Sequence, residues 1–307
     1  MAEIPYIGAA DVSLRWPVLV EALRAGHLGP RPEISDQFLH RGADTLLSRA
    51  AWIDGQGVAV KSVTVLPENP AKGLPSVQGA MLLFDDVTGA VEAVIDSALV
   101  TKWKTVGDSL LGASLLARPD AKRLLVVGAG AVAEGLIGAY PEIFPGIEIE
   151  IWNRNTEKAE ALAAKHLHVR AVQDLEAAVA RADIISTATM AKTPVILGDW
   201  LRPGQHLDLI GAFTKDMREA DDHAMQRARV FVDNVETTIA HIGEIMLPLA
   251  SGAIARADIL GDLYDLAGGA KGRRSPEDIT LFKNGGGAHL DLMTGKVILA
   301  TYRAKSA

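Results

Sequence analysis

The pattern of apolar and polar positions changes its rhythm near residue 119. Before that point helices and strands follow one another irregularly. "DVSLRWPVLVEALRAG" (11–26) has apolar residues at helical spacing, Asp11 available as a cap and Gly26 as a stop, and predicts a helix. "GVAVKSVTVLPENP" (57–70) predicts a buried strand that ends in a Pro/Asn turn. "GAMLLFDDVTGAVEAVIDSALV" (79–100) predicts a hairpin turning at Asp85–Gly89, and "TKWKTVGDSLLGASLLA" (101–117) a long helix with small residues on one side. "RPDAKR" (118–123) reads as a linker.

From there strands and helices alternate. Strand 124–127 leads into helix 131–140. Strand "IEIEIW" leads into helix "TEKAEALAAKHL", and "AVQDLEAAVARA" predicts a further helix before strand "DIISTAT". "HLDLIGA" and "VFVDN" follow as strands. This alternation predicts an α/β fold, a Rossmann-type doubly wound parallel sheet over 119–283. Residues 1–118 predict an α+β domain. The tail "NGGGAHLDLMTGKVILATYR" predicts a helix that returns to it, so that 284–307 join the first domain.

Composition narrows the class. The 307 residues are 49% hydrophobic, enough for a substantial core, and the net charge of −7 argues against nucleic acid as the partner. The chain has no cysteine, which removes disulfides, thiolate catalysis and Cys-ligated metals, and no metal is expected. No stretch approaches the roughly 20 apolar residues of a membrane span, and the first residues lack the pattern of a signal peptide, so the expected location is the cytoplasm.

The most informative stretch is "LLVVGAGAVAEG" (124–135), a G-x-G-x-x-A match with a strand before it, a helix after it and a second strand beyond. Gly128 permits the tight turn, Gly130 lets backbone N–H groups approach a pyrophosphate, and Ala133 keeps close helix packing. Ala131 and Val132 open the helix whose N-terminus favours phosphate. The second strand ends in "IWNRN". Asn153 stands where an NAD site carries an acid for the ribose hydroxyl, and Arg154 can pair with a 2′-phosphate, with Asn155 beside it. The expected cofactor is therefore NADPH, with NADH as the alternative. Ligands of open α/β sheets lie at the carboxyl ends of the strands, which assigns Thr187, Ala188 and Gly211 to the same site.

The first domain carries a second pattern. Lys61 falls among apolar neighbours on its strand, a costly position for an unpaired ammonium. From Lys61 to Pro75 the chain reads K-x-V-x-x-x-P-x-N-x-x-x-G-L-P, then come the glycine motif and, late, "SPEDITLFKNGGG" (275–287). In this order the motifs resemble the ornithine cyclodeaminase/μ-crystallin family over nearly the whole chain. The resemblance implies a nicotinamide-dependent enzyme acting on C–N bonds. It also implies a homodimer formed through the first domain, which holds the substrate. Lys61 would contact substrate. Lys104 stands where the family has an arginine for the substrate carboxylate, a departure because an ammonium cannot make a bidentate fork. Arg49, in "LLSRAAW", or Arg41 before it would supply a further cation. Ser76, Asn284 and Gly285 would border the cofactor, the last two because three successive glycines suit close approach to a flat ligand.

The activity within the family turns on Phe213. Ornithine cyclodeaminases place a carboxylate at this position, and phenylalanine cannot exchange protons, although Asp216 lies three residues on. Phe213 instead suits an apolar ring. The expected activity is reduction of a small cyclic imino acid, Δ1-pyrroline-2-carboxylate or Δ1-piperideine-2-carboxylate. Lys61 and Asp108, one turn after Lys104, are the candidate catalytic groups, and His289 is a weaker one. Ornithine cyclisation, an alanine-dehydrogenase-like reaction and non-catalytic ligand binding remain the alternatives.

Overall fold

The computed structural model describes residues 3–306. In chain order the named elements are β1 (Tyr6–Ile7), α1 (Trp16–Gly26), β2 (Glu33–Arg41), β3 (Asp44–Ile53), β4 (Gly57–Val65), β5 (Val77–Phe84), β6 (Val91–Asp96), α2 (Ser97–Leu116), β7 (Arg123–Val127) and α3 (Ala131–Ile143). They continue with β8 (Glu148–Trp152), α4 (Thr156–Ala163), β9 (Val169–Ala171), α5 (Leu175–Arg181), β10 (Ile184–Thr187) and β11 (His206–Leu209). The last are α6 (Asp222–Arg227), β12 (Ala228–Val232), α7 (Val235–Thr238), α8 (Gly243–Ala250), α9 (Leu263–Ala267), β13 (Ile279–Lys283) and α10 (Ala288–Ser306). The chain divides into two compact units, one running to Lys104 and resuming at Gly287, the other Thr105–Gly286.

The first unit is built on a sheet in the order β1-β6-β5-β4-β3-β2, antiparallel except where β1 joins β6. β4 alternates as its sequence predicts: Gly57, Ala59, Lys61 and Val63 are buried, with less buried residues between them. The helix α10 lies along this inward face. Helix α1 starts five residues later than the spacing predicts. Asp11 accepts a hydrogen bond from the Gly8 amide (2.7 Å) and shapes a turn, while Pro17 sits in the first helical turn. Helix α2 starts earlier, at Ser97, because Asp96 accepts from the Ala98 and Leu99 amides at 2.7 and 3.1 Å and caps it.

The second unit is a parallel sheet in the order β12-β13-β11-β10-β7-β8-β9, the α/β Rossmann-type architecture expected. Its core includes Leu125, Val127, Ile185, Leu207, Leu209 and Leu281. Two strands of this sheet went unpredicted. "ITLFK" (β13) inserts between β11 and β12, and "VRA" (β9), which overlaps the expected helix "AVQDLEAAVARA" only at Ala171, edges the sheet. Among the described residues no helix is long and apolar enough to cross a membrane.

Candidate active site

In the first unit, register and burial bring the cations together. A row crosses four strands: Asp36 on β2 faces Arg49 on β3, which faces Lys61 on β4, which faces Met81 on β5. Arg49 donates from Nε and Nη2 to the two oxygens of Asp36, at 3.2 and 2.5 Å. Lys61 is 5% exposed. An ammonium so placed is tolerable only when paired, and its partner is Asp291 on α10, with Nζ to Oδ1 at 2.6 Å. The same oxygen takes Lys104 Nζ from α2 at 2.9 Å. The second oxygen of Asp291 is buried with no hydrogen-bond partner among the described residues.

The electrostatics follow from this sharing. Burial alone would raise the Asp291 carboxyl, but Lys104, Lys61 and Arg49 outweigh it and hold the group at about 2. Lys104 shows the reverse balance. Burial brings it down to about 7, with Lys61 and Arg49 acting in the same direction and Asp291 against them. His289, two residues before Asp291, is buried edge-to-face against His27, with ring centroids 5.4 Å apart. Burial pushes its pKa well below the ordinary value, so it stays neutral. His27 Nδ1 lies 2.7 Å from the Leu23 carbonyl at the end of α1.

Arg41 is not brought to this group. It sits at the tip of the β2–β3 hairpin, largely exposed and paired with Asp44 at 2.8 Å. Five residues of extended strand, about 17 Å, separate it from the Asp36 position. Ser76 is half-buried ahead of β5, and its carbonyl accepts from the Leu66 amide at 2.8 Å. The P-x-N-x-x-x-G-L-P block also has a structural explanation. Asn69 is buried, and its amide donates to the Pro75 carbonyl at 3.1 Å, closing the loop on itself.

In the second unit a pocket of about 460 Å³ opens at the carboxyl ends of β7, β8 and β10. Gly128 has φ +129°, and a Cβ there would lie 2.6 Å from the Ala188 carbonyl oxygen, so only glycine suits the turn. Gly130 has open space beside it and precedes Ala131 and Val132, the first turn of α3. Asn153 donates to the Asn155 carbonyl at 2.9 Å, and the Asn155 side chain caps α4 by accepting from the Lys158 amide. These two side chains build the turn; Arg154 and Lys158 line the pocket as exposed cations. Lys158 was not singled out by the motif, although its place in the first turn of α4 follows from the cap at Asn155.

Thr187 ends β10 with its hydroxyl buried and without a hydrogen-bond partner among the described residues. Beyond it the loops are held by a carboxylate that the sequence reading missed. Glu219 accepts from the Thr189 amide and hydroxyl (2.7 and 2.6 Å) and from the Gly211 amide (2.6 Å). Glu244 in turn accepts from the Glu219 and Ala220 amides, and burial pushes its carboxyl up to about 7. Gly211 is essential to this clamp, since a Cβ would collide with the Thr189 carbonyl. Asn284 uses its amide on the Thr105 carbonyl and the Ser109 hydroxyl, at 2.9 and 3.0 Å, and Gly285 is pressed against Thr238 and Asp233. Asp108 is fully buried on α2. Phe213 is 60% exposed on the loop after β11. Asp216 is tied to Lys192 and Thr214, at 2.7 and 2.6 Å, which holds it at about 2.

Residues 37–306 match the sequence profile of the ornithine cyclodeaminase/mu-crystallin family. The chain is 56% identical over 297 residues to the Δ1-pyrroline-2-carboxylate reductase of Paracoccus denitrificans, covering 95% of this chain and 94% of that one. It is 35% identical over 242 residues to ketimine reductase mu-crystallin of Mus musculus, covering 78% and 75% of the two chains. The solved structure of Thermococcus litoralis Δ1-pyrroline-2-carboxylate reductase in complex with NADH and L-proline is similar with a TM-score of 0.91, at 27% identity, over 99% of both chains. The profile match and the near-complete coverage at high identity establish that the chain belongs to the ornithine cyclodeaminase/mu-crystallin family.

Proposed function

We propose that this chain is a reductase that converts Δ1-pyrroline-2-carboxylate to L-proline with a nicotinamide dinucleotide. The observation that carries the reading is the buried convergence of Lys61 and Lys104 on a single oxygen of Asp291, with Arg49 alongside. Buried cations grouped in this way suit the carboxylate of a small substrate. A ring with an adjacent carboxylate supplies it. The 56% identity to a reductase of that name supports the substrate class.

The second unit's residues fit a dinucleotide. The turn at Gly128, the open space beside Gly130 and the free start of α3 form a cradle for a pyrophosphate. When bound, the dinucleotide supplies a hydride to the C=N carbon. The protein's part is to hold the substrate and its protons. Lys61 and Arg49 fix the carboxylate, and Lys61 is the proposed proton donor to the imine nitrogen, since an iminium accepts hydride better than a neutral imine. Positioning of this kind supplies about 7–11 kcal/mol of a barrier. Ornithine cyclisation needs a proton-exchanging group near Phe213. The nearest candidate, Asp216, is committed to Lys192 and stays ionised.

NADPH is the proposed preference. The β8 end offers no carboxylate to repel a 2′-phosphate, and Arg154 and Lys158 line the pocket there. The expected result is a higher kcat/KM with NADPH than with NADH, and a narrower gap in Arg154→Ala. A preference for NADH that Arg154→Ala leaves unchanged contradicts this assignment.

A homodimer through the first unit is also proposed. On the sheet face opposite Lys61, Leu39, Trp52 and Leu82 are all exposed, more apolar surface than a lone sheet face normally presents to water. Sedimentation at micromolar concentration is expected to give a dimer, and a monomer contradicts it.

The function itself is tested by a paired assay. With Δ1-pyrroline-2-carboxylate the reduced dinucleotide is expected to be oxidised, and with L-ornithine no ammonia is expected. Ammonia release from ornithine without imine reduction reverses the reading.

A further inference from the structure

The last row of the parallel sheet joins Trp152, Val127, Thr187, Leu209, Lys283 and Val232 on adjacent strands. The glycine turn and its pocket occupy the β7, β8 and β10 side of this row. A dinucleotide whose adenosine half lies there has its reacting half beyond β10, over the ends of β11 and β13. Two side chains at these ends are fully shielded from water and take no part in the reaction as described: Glu219 and Lys283.

Both grip the same turn of backbone. Lys283 Nζ donates to the carbonyls of Leu209, Ile210 and Asn284, at 2.8, 3.3 and 2.7 Å. Glu219 takes the next amide, with Gly211 donating to Oε2 at 2.6 Å, while Oε1 accepts from the Thr189 amide and hydroxyl at 2.7 and 2.6 Å. The turn 209–211 is therefore held through its carbonyls by one side chain and through its amide by the other. Through them it is tied to the loop after β10 on one side and to the end of β13 on the other. Glu219 is itself anchored, since Glu244 accepts from the Glu219 and Ala220 amides at 2.6 and 3.0 Å. Backbone groups cannot exchange donor and acceptor roles, so Glu219 has to accept on both oxygens and Lys283 has to donate throughout. Polar groups are costly to bury unless so paired. What this pair holds is backbone on the cofactor side: Thr189 lines the pocket, and Gly211 and Asn284 stand at the ends of the next two strands.

We propose that Glu219 and Lys283 are positioning residues for hydride transfer: together they fix the turn 209–211 against Thr189 and Asn284, and so hold the strand ends that orient the nicotinamide half of the dinucleotide. This inference rests on the reductase reading given above. Neither side chain touches the reacting atoms, and each acts through the backbone it holds. Their loss leaves the adenosine half bound and frees the reacting ring, and a misplacement of about 1 Å costs about 100-fold in rate.

Two variants test this. Glu219→Gln is nearly isosteric, but its amide nitrogen faces a backbone N–H on either side. Lys283→Met keeps the stem and removes every donor. Three quantities are read: the Kd of 2′-phospho-ADP-ribose, which lacks nicotinamide, the fluorescence anisotropy decay of the reduced nicotinamide in bound NADPH, and kcat with Δ1-pyrroline-2-carboxylate. NADH and ADP-ribose take their places if that dinucleotide is preferred. Each variant is expected to keep the fragment Kd within about threefold, to let the bound nicotinamide reorient faster, and to lower kcat at least about tenfold. The double variant is expected to fall no further than the worse single one, because both act on one turn. Wild-type anisotropy decay and kcat in either variant overturn the inference, as does a loss of fragment affinity matching the loss of kcat, or an additive double variant. If neither variant folds, Thr189→Val, which withdraws only a hydroxyl from Glu219, is expected to loosen the nicotinamide with the fragment Kd unchanged, and an unchanged decay overturns the inference. A wild type that binds the dinucleotide without reducing the imine overturns the functional reading, while fragment affinity and anisotropy still decide the positioning.

Discussion

Asp291→Asn is expected to destabilise the protein by about 3–5 kcal/mol and to lower imine reduction by at least about 100-fold. The amide has nearly the volume of the carboxylate, so packing against α10's neighbours is preserved. The charge is what disappears. Lys61 and Lys104, each nearly fully buried, then face one another and Arg49 without their shared anion. Breaking a buried pair is costly because the group left behind loses a compensating charge, and here two ammoniums lose it at once. The pH dependence follows from the same pair. The Asp291 carboxyl is held at about 2, below its ordinary value of 3.8. A depressed carboxyl contributes stability that is fully present above its unfolded pKa and is lost as pH falls through the folded one. The wild type is therefore expected to lose stability between about pH 4 and 2 through this group, and Asp291→Asn to lack that part of the acid limb. Urea unfolding across pH measures both. A variant as stable as wild type at neutral pH removes Asp291 from the role given to it.

Lys61→Met is expected to act differently. Methionine keeps the stem's bulk and removes the ammonium. Asp291 still pairs with Lys104 at 2.9 Å, so no buried charge loses its partner and the loss of stability is smaller than in Asp291→Asn. Turnover suffers instead. Loss of a charge-assisted contact in a desolvated site costs about 2–4 kcal/mol, which lowers kcat/KM for the imine by at least about 100-fold. Dinucleotide affinity is expected to stay unchanged, because the Gly128 turn, Arg154 and Lys158 belong to the other unit. Separate measurement of dinucleotide binding and imine turnover checks both halves. Near-normal turnover shifts the proton donor away from Lys61.

The parts of this arrangement that were legible in the sequence share a physical reason. Gly128 announces itself because a Cβ there would meet the Ala188 carbonyl in a tight strand–helix turn, and Gly130 because it follows at the spacing of a dinucleotide motif, so a local pattern encodes both. The buried position of Lys61 is legible because β4 alternates strictly. The parts that were missed depend on long-range pairing. Asp291 lies 230 residues from the lysine it neutralises, and nothing in "AHLDL" reports that contact. Glu219 looks like one more surface acid in "DMREAD", yet it is fully buried and clamps two loops through backbone amides. Strand β13 is a short apolar run beside three glycines and has no period of its own. Strand β2 is the outermost of its sheet and almost wholly exposed, so it lacks the alternation that marks a half-buried strand. The arginine choice had the same origin. Arg41 and Arg49 are alike as sequence, and only the register that sets Arg49 beside Lys61 and sends Arg41 to the hairpin tip separates them.

The central claim is that the buried cations of the first unit serve reduction of a cyclic imino acid. The most direct measurement is the product balance of wild-type enzyme given Δ1-pyrroline-2-carboxylate and a reduced dinucleotide. The account predicts L-proline formed in a one-to-one ratio with dinucleotide oxidised; oxidation without proline, or no oxidation at all, would contradict it.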